Sequence, residues 1–148
     1  MFNFFKKSES KLAFDSKLID KFHKDHEELV GHIVNVQKAL DKNKEKKAKQ
    51  FLKQLRIRML GHFMEEDIKL YWYLKRYYSE HGDISQTIAM FESSIKDIQR
   101  EVINFLDYYL QETQKLDKKF EEKFSEIVQT LSSRIQTEES SLYTLYVK

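Results

Sequence analysis

Not one of the 148 residues is proline. Proline removes a backbone donor and clashes with the preceding turn, so a chain without it can hold helix over long stretches. The apolar residues take up that freedom by recurring at spacings of three and four, the helical period, and no strand is expected. The first stripe is Leu18, Ile19, Phe22, Leu29, Val30, Ile33, Val36 and Leu40, with Asp15 or Ser16 as N-cap, which predicts a helix over 16–40 ending in the polar run from Asp41 to Lys46. The second, Leu52, Leu55, Met59, Leu70, Tyr73 and Leu74, predicts a helix over 46–80, with Gly82 as its left-handed C-terminal cap. A third, capped by Asp83 or Ser85, carries Ile88, Phe91, Ile95, Ile98, Val102, Phe105 and Tyr109 and breaks at 114–117. The fourth carries Phe120, Phe124, Ile127, Leu131, Leu142 and Leu145. Short connections make neighbouring helices antiparallel, so the expected fold is an all-α, up-down-up-down four-helix bundle.

With 41% hydrophobic residues and three glycines, the chain suits one domain over 1–148, with 1–14 as an N-terminal extension. Its 26 basic and 24 acidic residues nearly cancel, so no field gathers nucleic acid or an acidic membrane. The basic residues from Lys42 to Arg58 read as a solvated face, with a docking patch for an acidic partner as the alternative. Cysteine is absent. Any metal must therefore be held by histidine and carboxylate, and a reducing cytoplasm suits the composition. The opening Met-Phe-Asn-Phe-Phe-Lys-Lys is too short for a signal peptide's apolar region. Phe2, Phe4 and Phe5 are expected to cover one end of the bundle, or to serve a homodimer or membrane contact.

A shift of 72 residues superposes the second helix on the fourth, bringing Leu52 onto Phe124, Leu55 onto Ile127, Met59 onto Leu131, His62 onto Arg134, Glu66 onto Glu138 and Tyr71 onto Tyr143. Two copies of one helical hairpin are implied. The same shift places His26 on Ile98 and Val30 on Val102. Counting outward from turns near 43, 82 and 116 puts His26, His62, Glu66, Ile98, Arg134 and Glu138 in one layer, about 25 Å from either end at about 1.5 Å per residue.

Polar groups in a core must satisfy one another. Two arrangements do so. In one, His26, His62, Glu66 and Glu138 ligate an ion of iron, zinc or manganese while Arg134 balances carboxylate charge. In the other, no metal is present; Arg134 forks onto Glu66 and Glu138, and the histidines join the network. His23 is placed at the edge of the stripe, outside the ligands that it would support. His32 and His81 read as surface or helix-end residues.

Asp25-His-Glu-Glu-Leu29, His62-Phe-Met-Glu-Glu66 and Glu138-Glu-Ser-Ser-Leu-Tyr143 resemble the hemerythrin, or HHE cation-binding, family. The resemblance implies a bundle in which carboxylates of the second and fourth helices bridge two irons, with His26 and His62 on the first iron and Glu66 and Glu138 as the bridges. The second iron's histidines have no counterpart here, because the third helix has none and Arg134 occupies the fourth-helix position. Ser16-Lys-Leu-Ile-Asp-Lys-Phe22, Gly61-His-Phe63, Ile103 to Tyr109 and Ser125 to Leu131 are similar to the Rsd/AlgQ regulators, which implies a bundle that binds the RNA polymerase sigma factor. The leading expectation is a bacterial hemerythrin-like protein with a half-lost site for at most one ion, serving sensing or regulation. The alternative is a metal-free regulator. No nucleophile, phosphate loop or cleft with an acid/base pair is visible, so turnover is not expected.

Overall fold

The computed structural model describes residues 13–148. Four helices form the bundle: α1 is Leu18–Asp41 and α3 is Gly82–Tyr109. α2 runs through Glu45–Glu65, a π turn over Glu66–Tyr71 and Trp72–Tyr77. α4 runs through Lys118–Thr137, a second π turn over Glu138–Leu142 and a closing 3₁₀ turn over Tyr143–Leu145. Phe2, Phe4 and Phe5 lie outside the described residues. Among the described residues Phe14 packs at the end of the bundle where the chain enters, its ring stacked on Tyr146 at 4.8 Å. The same end is tied by Asp15 N donating to Tyr146 Oη at 2.7 Å and Tyr78 Oη donating to Leu145 O at 2.7 Å. At the far end Leu116 N donates to Glu45 Oε1 and Lys49 Nζ reaches Gln111 O. These two sets of ties make each helix antiparallel to the next. No helix among the described residues is long and apolar enough to cross a membrane.

The helix ends differ from the sequence expectation at three points. α1 begins after Lys17 without a side-chain cap. Asp15 Oδ1 takes Lys17 N, one residue before the helix proper. Gly82 has no positive φ and opens α3 rather than capping α2. Neither Asp83 nor Ser85 caps α3, whose preceding residue is His81. The left-handed residue is Asn43, φ 57°, where Lys44 N reaches Ala39 O and Asn43 N reaches Leu40 O. That is the paired-bond terminus that a left-handed residue allows, and asparagine tolerates the conformation better than most side chains. Asp117 does cap α4, its Oδ1 accepting from Phe120 N at 3.0 Å.

The core repeats the 72-residue pattern faithfully in α2 and α4. Ala48, Leu52, Leu55, Met59, Leu70, Tyr71 and Leu74 are buried, and so are Phe120, Phe124, Ile127, Leu131, Leu142, Tyr143 and Tyr146. α1 and α3 do not keep that offset. Val30 is 46% exposed whereas Val102 is 1% exposed, so the two are not equivalent. An offset of 66 residues fits instead, pairing Phe22 with Ile88, Leu29 with Ile95, Val36 with Val102 and Ala39 with Phe105, all buried. The connection between α3 and α4, residues 110–117, is longer than the one between α1 and α2, residues 42–44, and absorbs the difference.

Candidate metal centre

Corrected for that offset, the residue of α3 that corresponds to His26 is Glu92, not Ile98. Ile98 is half-buried and lines an outer groove between α3 and α4. The turn between α2 and α3 is centred near residue 80 because Gly82 is already helical, so the level of Glu66 falls nearer Ile95, which is 3% exposed. Glu92 is drawn outward to Lys75 Nζ at 2.9 Å.

The other five members of the predicted layer are together and buried. His26, His62, Glu66 and Glu138 each direct one donor atom to a common point, all four atoms lying within 4.8 Å of one another. His26 Nε2 is 3.2 Å from His62 Nε2 and 3.2 Å from Glu138 Oε1. His62 Nε2 is 3.0 Å from Glu66 Oε2. The outward nitrogens are engaged as well. His26 Nδ1 lies 2.8 Å from Glu139 Oε2 and His62 Nδ1 lies 2.9 Å from Asp25 Oδ2. A carboxylate on Nδ1 fixes the ring and turns the Nε2 lone pair inward, the arrangement found behind metal-bound histidines. His23 is 45% exposed and lies outside the donor cluster; its Nδ1 is 3.0 Å from Glu139 Oε2, so it steadies the carboxylate that steadies His26.

Arg134 takes part in a different way from the metal-free expectation. Its Nε donates to Glu138 Oε2 at 3.1 Å, and Nη2 donates to Tyr71 Oη at 2.8 Å and Phe91 O at 3.0 Å. No bond to Glu66 is formed, so the predicted fork across both carboxylates is absent among the described residues. Its reach is set by the helix: Glu138 is one turn along α4, on the same face. Glu66 Oε1, in a residue 1% exposed, has no hydrogen-bond partner. An orphaned carboxylate oxygen at that depth is costly unless a cation meets it.

The electrostatic surroundings of these groups point to the same convergence. Burial alone would lower the His26 imidazole, but hydrogen bonds to Glu138 and Glu139 raise it above the ordinary histidine value. His62 is likewise raised against its burial, by Glu66 and Asp25. Burial pushes Glu66 up, yet its bonds to His62, Glu138 and Tyr143 bring it below the usual range. Glu138 is raised by burial and by the neighbouring Glu66 charge. The cluster thus joins two imidazoles, two carboxylates and the Arg134 guanidinium in one hydrogen-bonded group. A divalent or trivalent ion can take the place of the protons that such donors share. A cavity of about 20 Å³ beside the cluster, lined by His26, His62, Arg134 and Glu138, has room for a single water or ion and no more. Two imidazoles and two carboxylates, with the orphaned oxygen, fit one ion of the iron, zinc or manganese type.

The sequence alone did not reveal Asp25, Glu139, Tyr71, Tyr143 or Glu92 as parts of this region. Asp25 and Glu139 adjoin His26 and Glu138 in the chain, but helical adjacency normally separates side chains by a third of a turn. The tyrosines are brought in by the π turns, whose i to i+5 bonding sets Glu66 and Tyr71, and Glu138 and Tyr143, on one side. An α-helical count sends an i+5 residue away from its partner.

His32 is half-buried in the groove between α1 and α2 rather than on the surface, and His81 stands at a helix end as expected. Much of the basic stretch is exposed, but Lys49 and Arg56 have structural partners in Gln111 and Asp107.

Residues 17–146 match the family model described as hemerythrin HHE cation binding domain, while the comparisons with curated proteins and with solved structures gave no match.

Proposed function

The chain belongs to the hemerythrin HHE cation-binding domain family, and on that premise we propose that it binds a single metal ion through His26, His62, Glu66 and Glu138, the second site of a paired centre being taken by the guanidinium of Arg134. The observation that carries this reading is the convergence of four buried donors within 4.8 Å while an arginine sits at the position 72 residues beyond His62. A guanidinium and a second metal ion compete for the same carboxylate, Glu138, and the covalently attached cation is always present. Glu66 and Glu138 then meet one exchangeable cation and one fixed cation.

When bound, such an ion supplies a Lewis acid or, if it is iron or manganese, a one-electron redox centre. The chain's own residues orient and enclose it. Asp25 and Glu139 hold the imidazoles, Arg134 holds Glu138, and the surrounding Leu29, Met59, Ile95 and Leu131 limit access by water. The cavity of about 20 Å³ beside the donors is of the size that a water or an ion takes, which supports a binding, sensing or regulatory role.

Protein purified without chelator is expected to hold about one equivalent of iron, zinc or manganese per chain, with His62→Ala losing it. Less than about a tenth of an equivalent after reconstitution, in a folded protein, overturns the reading and favours the metal-free core, whose charges are met by protons instead.

A further inference from the structure

Tyr143 does something that its counterpart 72 residues earlier does not. Both phenols are buried at the end of a π turn, and each faces the polar cluster of one half of the core. Tyr71 Oη accepts from Arg134 Nη2 at 2.8 Å. Tyr143 Oη faces no arginine; it lies 2.8 Å from Glu66 Oε2, 3.2 Å from His26 Nε2 and 3.4 Å from Glu138 Oε1. Three of the four converging donors are therefore its neighbours.

Those distances resemble the edges of a coordination polyhedron. A first-row ion with nitrogen and oxygen ligands at about 2.0–2.2 Å has adjacent ligand atoms about 3 Å apart. The separations of 3.2, 3.2 and 3.0 Å among the imidazole and carboxylate donors match that spacing, and the three from Tyr143 Oη continue the same set. The second half gives the pattern independently, since there a cation sits between a tyrosine oxygen and the carboxylate four residues along its own helix. His62 and Glu66 stand four apart in the same way, with Tyr143 completing the group.

We propose that Tyr143 is a fifth ligand, bound through its phenolate oxygen. The inference rests on the metal-binding reading above. Coordination breaks the phenol O–H bond, the proton leaves to water and an O–Fe bond forms, with no change of oxidation state when the iron is supplied as Fe(III). Two carboxylates and one phenolate then carry three negative charges, which the ion shares with the Arg134 guanidinium already bonded to Glu138.

The test uses the full chain loaded with ferric nitrilotriacetate and freed of excess, read by iron analysis, visible absorption and resonance Raman. A visible phenolate-to-iron charge-transfer band, with enhanced tyrosinate ring modes in the parent and loss of both in a Tyr143→Phe protein that still holds iron, is the expected result. Raman on the parent alone decides the case if that variant does not fold. Iron bound without tyrosinate modes, or modes that persist in Tyr143→Phe, overturns the phenolate ligand and leaves the four-donor site standing. No binding of iron, zinc or manganese by the parent overturns both.

Discussion

The two hairpins, α1 with α2 and α3 with α4, build the same core and end it in different charges. Along α2 and α4 the buried positions coincide from Ala48 and Phe120 to Leu74 and Tyr146, including the two glutamates and the tyrosines that follow them. At the level of the two glutamates one position differs in charge: His62 in the first hairpin, Arg134 in the second. On the partner helices His26 faces inward, whereas Glu92 is held by Lys75 at the edge. The shared residues are those that the bundle needs, and the different ones decide where the cation for each buried carboxylate comes from. One hairpin has it on the chain, as Arg134; in the other, Glu66 Oε1 has no hydrogen-bond partner, and the proposed ion would meet it.

The largest effect is expected where the fixed cation is removed. Arg134→Met leaves Glu138 beside Glu66 with no guanidinium, and strands Tyr71 Oη and Phe91 O. Breaking a buried ion pair by removing one partner costs about 3–5 kcal/mol. Urea denaturation of metal-free protein measures it. A loss below about 1 kcal/mol would mean that Glu138 simply takes up a proton, and that Arg134 is not what sustains the second half.

Next comes the exchangeable cation. At one hundred times its dissociation constant a ligand bound only by the folded state stabilises it by about 2.7 kcal/mol, so Fe(III) should raise the unfolding midpoint of the parent and leave His62→Ala unmoved. Arg134→His sharpens the comparison, because it makes the two hairpins alike at this position. Its metal content is expected to exceed the parent's, since a buried cation is lost and a ligand gained beside Glu138. Equal content in the two proteins would break the proposed correspondence between His62 and Arg134.

Such a correspondence was legible because α2 and α4 share one offset, so the sequence places His62, Glu66, Arg134 and Glu138 at one level without coordinates. The partner helices were harder to read. Their stripes repeat every seven residues or so, and several offsets look alike by apolar pattern; the length of the 110–117 connection, which decides among them, leaves no periodic trace. By apolar pattern alone Ile98 falls in the layer and Glu92 outside it. The π turns were equally hidden, since a π turn has no distinctive composition, and with them went the role of Tyr71 and Tyr143. Arg134 was expected to reach both carboxylates, but its reach is fixed by rotamer and by the competing acceptors Tyr71 Oη and Phe91 O.

A smaller effect is expected one step out from the donors. Asp25→Asn and Glu139→Gln keep the shape but weaken the hold on the imidazoles, and loss of such a partner costs about 10–100-fold in metal affinity. Competition with a chelator measures it. Asp25 acts on His62 alone and Glu139 on His26, so the double variant should show additive losses if the two histidines bind one ion as independent ligands. A loss for Asp25→Asn with none for Glu139→Gln would put His26 outside the ligand set.

The smallest expected effect separates the hairpins by their turns. The first closes through Asn43 in the left-handed region with no side-chain cap on α2, and the second through Asp117, whose carboxylate caps α4. Asp117→Ala should therefore cost about 1 kcal/mol, the ordinary value of an N-cap, whereas Lys44→Ala should change stability little because Lys44 makes no capping bond. Both are read by urea denaturation without metal, far from the centre. If Asp117→Ala also lowers metal affinity, the register of α4 depends on its first turn, and Glu138 and Tyr143 are positioned along the whole helix rather than by the π turn alone.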